Sequence, residues 1–142
     1  MSARNTHPTE QGFTLVELLV VLAILGLLAA LAMPQLINSL ERARMDTAKV
    51  QIEKLGTILD LYRLDNGRYP TEQEGIQALM ERPAGVERWS GPYLKNREAL
   101  TDPWGGQYRY RAPGEHGAYD LSSLGADQKE GGEGSDADIT SW

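Results

Sequence analysis

"GFTLVELLVVLAILGLLAALAMP" (residues 12–34) decides how the rest of the chain is read. Residues 18–33 carry no charge. Together with Phe13 to Glu17 they give about 20 residues, the length a helix needs to cross roughly 30 Å of hydrocarbon. The core helix of a soluble protein is the bland alternative, but nothing else in the chain is apolar enough to surround it. An ordinary secretory signal is the stronger rival, because "LLAALAM" offers small residues at which to cut. Against it, the leader MSARNTHPTEQG is polar rather than clearly basic, and the apolar run exceeds a typical signal core.

Glu17 is the one acid in this run. Three readings fit it. It can snorkel to the interface, being close to the helix start. It can favour the positive end of the helix dipole. Or it is functional, the default for an acid at membrane depth, and then it needs a cation. A cut after Gly12 would supply one, the new α-amino group of Phe13. The amine of a neighbouring copy reaches Glu17 once helices stand side by side, and the pairing works in one register only. An unpaired buried charge costs several kcal/mol, so Glu17 would specify assembly.

The 142 residues suffice for one compact domain. Outside residues 13–33 the chain is polar and glycine-rich, so its core is small. A net charge of −6 argues against nucleic acid as a partner. No cysteine is present, so any extra staple is a metal or oligomerisation.

Pro34 ends the uncharged run and, with Gly26, marks a place where the helix bends or locally melts during packing. The pattern then turns amphipathic. Leu36, Leu40, Ala43, Ala48, Ile52, Leu55, Leu59 and Tyr62 recur at steps of three to five, with charged residues between them. This predicts one helix from about Thr14 to Leu64, its second half laying an apolar stripe on a small domain. "DNG" (65–67) stops it. Thr71 stands three residues before Glu74, a capping-box spacing that predicts a short helix from Glu72 to about Glu81. Residues 82–106 read as loop, with Trp89, Tyr93 and Trp104 packing in the core. "QYRYR" (107–111) and "AYDLSSL" (118–124) read as two strands of a hairpin.

Catalysis finds little support. His7 sits in the polar leader and His116 in a glycine-flanked turn, both read as solvated, and no nucleophile elbow or phosphate-binding glycine motif appears. The C-terminal "GADQKEGGEGSDADITSW" is more informative. Its acids and glycines suit calcium, which takes six to eight oxygens from carboxylates and backbone carbonyls in a flexible loop. A solvated acidic tail is the alternative. Ile139 and Trp142 would anchor such a loop to the domain.

"GFTLVE" (12–17) followed by the long apolar run resembles the precursor of a type IV pilin-like protein. The resemblance implies cleavage between Gly12 and Phe13 by a prepilin peptidase, N-methylation of Phe13 and retention of the helix. "GRYPTEQEGIQAL", "GPYLK", "DPWGGQYRYRAPGEHGAYDLSSLGAD" and "GGEGSDADITSW" narrow it. Over residues 12–142 the chain is similar to the major pseudopilins of type II secretion systems, the G subunits.

That resemblance implies an α+β, type IV pilin-like fold. Its parts are a leader peptide (1–12), a transmembrane and assembly helix (13–34), the amphipathic half of the same helix (35–66), and a periplasmic domain (67–142) with a short helix, a small antiparallel sheet and a calcium loop. It implies calcium ligation by Asp127 and Asp136 and by the carbonyls of Leu124 and Lys129, with Ser135 and Asp138 as further candidates. Two positions depart from the family's usual pattern: Gln128 stands where glycine is common and Gly106 where asparagine is expected.

The expected function is a non-enzymatic, inner-membrane, single-pass subunit that polymerises with itself into a periplasmic pseudopilus helping folded exoproteins through the outer membrane. Gly12 and Phe13 serve processing, and Phe13, Glu17 and Pro34 serve assembly. Implied partners are other copies, minor pseudopilins, the assembly platform, the prepilin peptidase, lipid before assembly, and a cytoplasmic ATPase that supplies work. The alternatives are an adhesive or motility type IV pilin, a secreted calcium-binding module that has lost residues 1 to about 33, and last an enzyme.

Overall fold

The computed structural model describes residues 12–142. Residues 1–11 of the polar leader, with Arg4, His7 and Glu10, lie outside the described residues.

One helix, α1, runs from Leu15 to Asn66, 52 residues without a break at Pro34. Its start is capped: the Glu17 N–H donates to Thr14 Oγ1 at 3.2 Å, which satisfies one of the free amides of the first turn. Its end is closed by Gly67, whose positive φ of 77° lets its N–H turn back to the Arg63 carbonyl at 2.7 Å. The chain divides into a unit that ends at Asn38 and a compact unit from Ser39 to Trp142. The globular unit therefore includes the helical residues from Ser39 onward.

In the first unit the apolar residues are uncovered. Phe13 is 73% exposed, and every residue from Leu15 to Leu28 is exposed as well. The helix contains a stretch long and apolar enough to cross a membrane, none of it buried.

In the second unit, α1 buries Ala48, Ile52, Leu55, Leu59 and Tyr62. These residues pack with Ile76, Leu79, Leu94, Leu100, Tyr108, Leu121 and Ile139. Each fully covered Leu or Ile contributes roughly 1.5–3 kcal/mol of burial. Leu36, Leu40 and Ala43, expected on the same stripe, are exposed instead. The step from Ala43 to Ala48 is five residues, which rotates the helix face by about 140°. The inward stripe begins only at Ala48, with Met45 packed at its edge.

The expected α-helix at residues 72–81 is a 3₁₀ turn over Ile76–Leu79. The capping box itself forms: the Thr71 N–H donates to Glu74 Oε2 at 2.8 Å and the Glu74 N–H to Thr71 Oγ1 at 3.2 Å. Gly75 then takes φ 61°, which ends the first turn before an α-helix can propagate. A second 3₁₀ turn spans Arg97–Leu100.

The sheet has three antiparallel strands in chain order: β1 (Arg109–Arg111), β2 (Asp120–Ser123) and β3 (Ile139–Thr140). Tyr110 faces Leu121, and Ser123 faces Ile139. The hairpin matches the sequence reading. β3 has only two residues, too few to show alternation, so its pattern was not visible. Trp89, Tyr93 and Trp104 pack half-buried against the core as expected. Polar clasps join the helix to the rest of its unit: Trp104 Nε1 donates to Glu41 Oε2 at 2.9 Å, Tyr108 OH to Gln51 Oε1 at 2.5 Å, and Tyr69 OH to Asp60 Oδ1 at 2.6 Å.

Glu74 is held by an ion pair at the edge of this core. Its side chain is 16% exposed and receives both terminal nitrogens of Arg68 at 2.6 and 2.7 Å. The Arg68 hydrogen bonds, reinforced by Thr71, bring its pKa down to about 2 from 4.5. A depressed carboxylate stabilises the fold above its unfolded pKa and loses that contribution as protonation sets in. Thermal melts should therefore show stability falling between about pH 4.5 and about pH 2. Glu74→Gln should lower Tm at neutral pH by roughly 4–8 °C and flatten that part of the pH profile; an unchanged profile would contradict the assignment.

Candidate functional site

Two regions carry the residues singled out by the sequence: the outward surface of α1 and the C-terminal loop.

Glu17 is the third residue of α1, three after Thr14. It stands at the T-x-x-E spacing of a capping box, a signal the sequence reading passed over, and the Thr14 half of that box is formed. Its carboxylate is exposed beside the positive end of the helix. No described basic group lies within ion-pair distance of it, so its charge is available to a group from elsewhere. Gly12 and Phe13 precede the helix outside any regular element, both exposed. Pro34 lies on an exposed stretch of α1.

The second unit presents a feature the sequence reading missed. Leu40, Ala43, Thr47, Val50, Lys54, Thr57, Leu61 and Leu64 follow alternating steps of three and four, the spacing of a helix-packing seam. All are exposed, with Val50 at 62% and Leu64 at 80%. The buried positions 48, 52, 55, 59 and 62 follow the same alternation. Each of Val50, Thr57, Leu61 and Leu64 lies two residues from one of them, about 200° round the helix. The helix thus has one seam for its own domain and a second facing away. Polar Thr and Lys residues within the outward seam hid it from a reading based on apolar residues alone.

The C-terminal loop is an ordered element. Its neck is closed by the Ala126 N–H donating to the Ser135 carbonyl at 2.9 Å. Asp127 and Asp136 follow these two residues directly, so the neck brings both acids to the same end of the loop. Asp127 Oδ1 accepts the Lys129 N–H at 3.0 Å, and Asp138 Oδ2 accepts the Gly131 N–H at 3.0 Å. Both acids therefore shape the loop. Glu130 pairs with Arg109 on β1. Leu124 is buried, Ser135 and Asp136 are half-buried, and Asp127, Lys129 and Asp138 are exposed.

The donor set suits a hard cation. A Cβ on Gly125 would stand 2.8 Å from the Ser135 carbonyl oxygen and 2.9 Å from that of Ala137, so carbonyls crowd a space only glycine leaves open. Among the described residues no three acids or histidines gather closely enough to hold a metal by side chains alone. A cation here would draw on carbonyls and on Asp127 and Asp136, a mixture calcium accepts.

Beneath the loop lies a buried carboxylate that the sequence reading did not identify. Asp102 is 5% exposed. It receives the Gly106 N–H at 2.7 Å, the Trp104 N–H at 3.1 Å, Ser123 Oγ at 2.6 Å and Gln128 Nε2 at 3.3 Å. His116, expected to be solvated, is exposed yet engaged: its ring stacks on Trp142 at 4.1 Å and Nδ1 lies 3.1 Å from Asp120 Oδ2. Trp142 therefore anchors by stacking rather than by burial.

Removing Asp102 leaves these donors unpaired inside the fold. Asp102→Ala should cost about 2–4 kcal/mol. Asp127→Ala, on the loop surface, should cost less than about 1 kcal/mol when a chelator is present. Paired melts test this; equal losses would contradict the buried role of Asp102.

Comparison with known proteins bears on both regions. A family model described as "Type II secretion system (T2SS), protein G" matches residues 35–142. A second, "Prokaryotic N-terminal methylation motif", matches residues 8–33. The type II secretion system core protein G of Pseudomonas aeruginosa is 47% identical over 137 residues, covering 94% of this chain and 95% of the relative. That of Vibrio cholerae is 43% identical over 136 residues, covering 94% and 92%. The crystal structure of the major pseudopilin from the type 2 secretion system of enterohaemorrhagic Escherichia coli superposes with a TM-score of 0.62 at 33% identity, covering 77% of this chain and 95% of that one.

Proposed function

The chain belongs to the type II secretion system protein G family and is a subunit of its pseudopilus, and from this premise we propose how it is processed, held and assembled. It is made as a precursor, cut between Gly12 and Phe13 and methylated on the new Phe13 amine. Residues 13–34 hold it in the inner membrane as a single span, with the globular unit in the periplasm. It is a structural part and not a catalyst. Minor pseudopilins, an assembly platform and a cytoplasmic ATPase act on it, and the fibre moves folded exoproteins toward the outer membrane.

The observation that carries assembly is the surface of α1. Its apolar first part is uncovered, and the seam through Val50, Leu61 and Leu64 faces away from the domain core. Lipid can cover the former but not a seam outside the membrane; other copies can cover both. A head-to-tail contact between copies that does not close into a ring yields an open helical fibre. Glu17 receives the Phe13 amine of a neighbour, which removes the cost of two buried charges in one register only. Pro34 gives the helix a place to yield as it leaves the bilayer.

Calcium occupies the C-terminal loop in this reading. Asp127 and Asp136 supply carboxylates, and the carbonyls of Leu124 and Lys129 supply further oxygens, with Ser135 and Asp138 as contributors. The metal supplies a positive centre for these oxygens and so adds to the folding free energy of the loop.

Three measurements test the proposal. The mature protein should begin with N-methyl-phenylalanine at Phe13; a start beyond Met33 would replace this reading with a secreted module. Glu17→Ala and Leu61→Glu should each insert in the membrane, and Leu61→Glu should melt within about 0.5 kcal/mol of the wild type, yet neither should form fibres. Normal fibres from either variant would contradict the role given to that residue. Chelation should lower the wild-type Tm, and Asp127→Ala should lose most of that sensitivity; a chelator-independent Tm rules out the metal.

A further inference from the structure

Gln128 stands in the left-handed region, with φ 56°, the only described non-glycine residue at positive φ. Backbone sterics there favour glycine. Something else holds Gln128 in place, and its side chain shows what. Nε2 donates to the Gly125 carbonyl at 2.5 Å and lies 3.3 Å from Asp102 Oδ2. The amide thus spans from the start of the loop to the buried carboxylate beneath it.

The other wall of this contact is Gly106. A Cβ there would stand 1.9 Å from Gln128 Oε1 and 2.6 Å from Nε2. Gly106 is not among the glycines at positive φ, so its backbone would accept a side chain. The amide is what excludes one. Gly106 cannot move aside either, because its N–H and carbonyl are both bonded to Asp102, at 2.7 and 2.8 Å.

We propose that Gln128 is a positioning residue, a side-chain clamp that ties the C-terminal loop to Asp102, and that it works only because position 106 is glycine. The clamp sits between Gly125 and Lys129, so it fixes the turn from which Asp127 projects. Its bonds run from one protein group to another, to the Gly125 carbonyl and to Asp102, so it stands apart from the calcium reading.

The test uses the full chain in detergent micelles with chelator present. Lys129 is the only lysine or arginine after Arg111, so a trypsin cut within the loop releases residues 130–142 and is read by mass. Gly106→Ala should evict the amide and speed this cut roughly tenfold, the effect of losing two modest hydrogen bonds. Gln128→Gly should speed it by less, because glycine eases the left-handed backbone as the amide is lost. Gln128→Asn, which keeps an amide and tolerates that backbone but is one methylene too short, should also be cut faster than the wild type. The double variant Gly106→Ala/Gln128→Gly should be cut at the rate of Gln128→Gly alone, since the amide is already gone. A Gly106→Ala protein cut at the wild-type rate, a Gln128→Asn protein as resistant as the wild type, or a double variant whose rate is the product of the single effects would each overturn the clamp.

Discussion

The structure depends on an apolar surface that the chain itself does not cover. At Phe13 and along the first part of α1 to Met33, large apolar side chains lie open. Each is worth roughly 1.5–3 kcal/mol when removed from water, so together they outweigh the 5–15 kcal/mol that holds a typical small domain folded. No rearrangement of so small a globular unit can cover them. The two environments that can are a bilayer and a bundle of identical helices, and in the proposed assembly the subunit passes from one to the other.

The globular unit serves that helix. Its core is built on one face of α1 and is reinforced by tyrosine and tryptophan clasps to Glu41, Gln51 and Asp60. With no disulfide to close it, the C-terminal segment is held by β3, by the neck between Ala126 and Ser135, by the Arg109–Glu130 pair and by the stack of His116 on Trp142. All of these leave the outward seam of α1 exposed, so the domain stabilises the helix without covering the surface that the proposed assembly uses.

Much of this was legible in the sequence. The length of α1 followed from the apolar run and the amphipathic pattern beyond it, and the hairpin from alternating aromatic and polar residues. What failed did so for local reasons. The capping box at Thr71 formed as read, but Gly75 converted the expected α-helix into a 3₁₀ turn. The stripe through Leu36, Leu40 and Ala43 was joined to the inward one across a five-residue step that turns the helix away. Asp102 was invisible because burial comes from residues distant in sequence. Gln128 and Gly106, noted as two separate departures from the family pattern, are one contact in space.

The central claim is that the outward seam of α1 is covered only in the assembled fibre. Because the chain has no cysteine, a Leu61→Cys variant offers a single thiol on that seam. Thiol labelling of the membrane-held subunit and of purified fibres measures its exposure directly. The account predicts rapid labelling in the subunit and strong protection in the fibre; equal labelling in both states would contradict it.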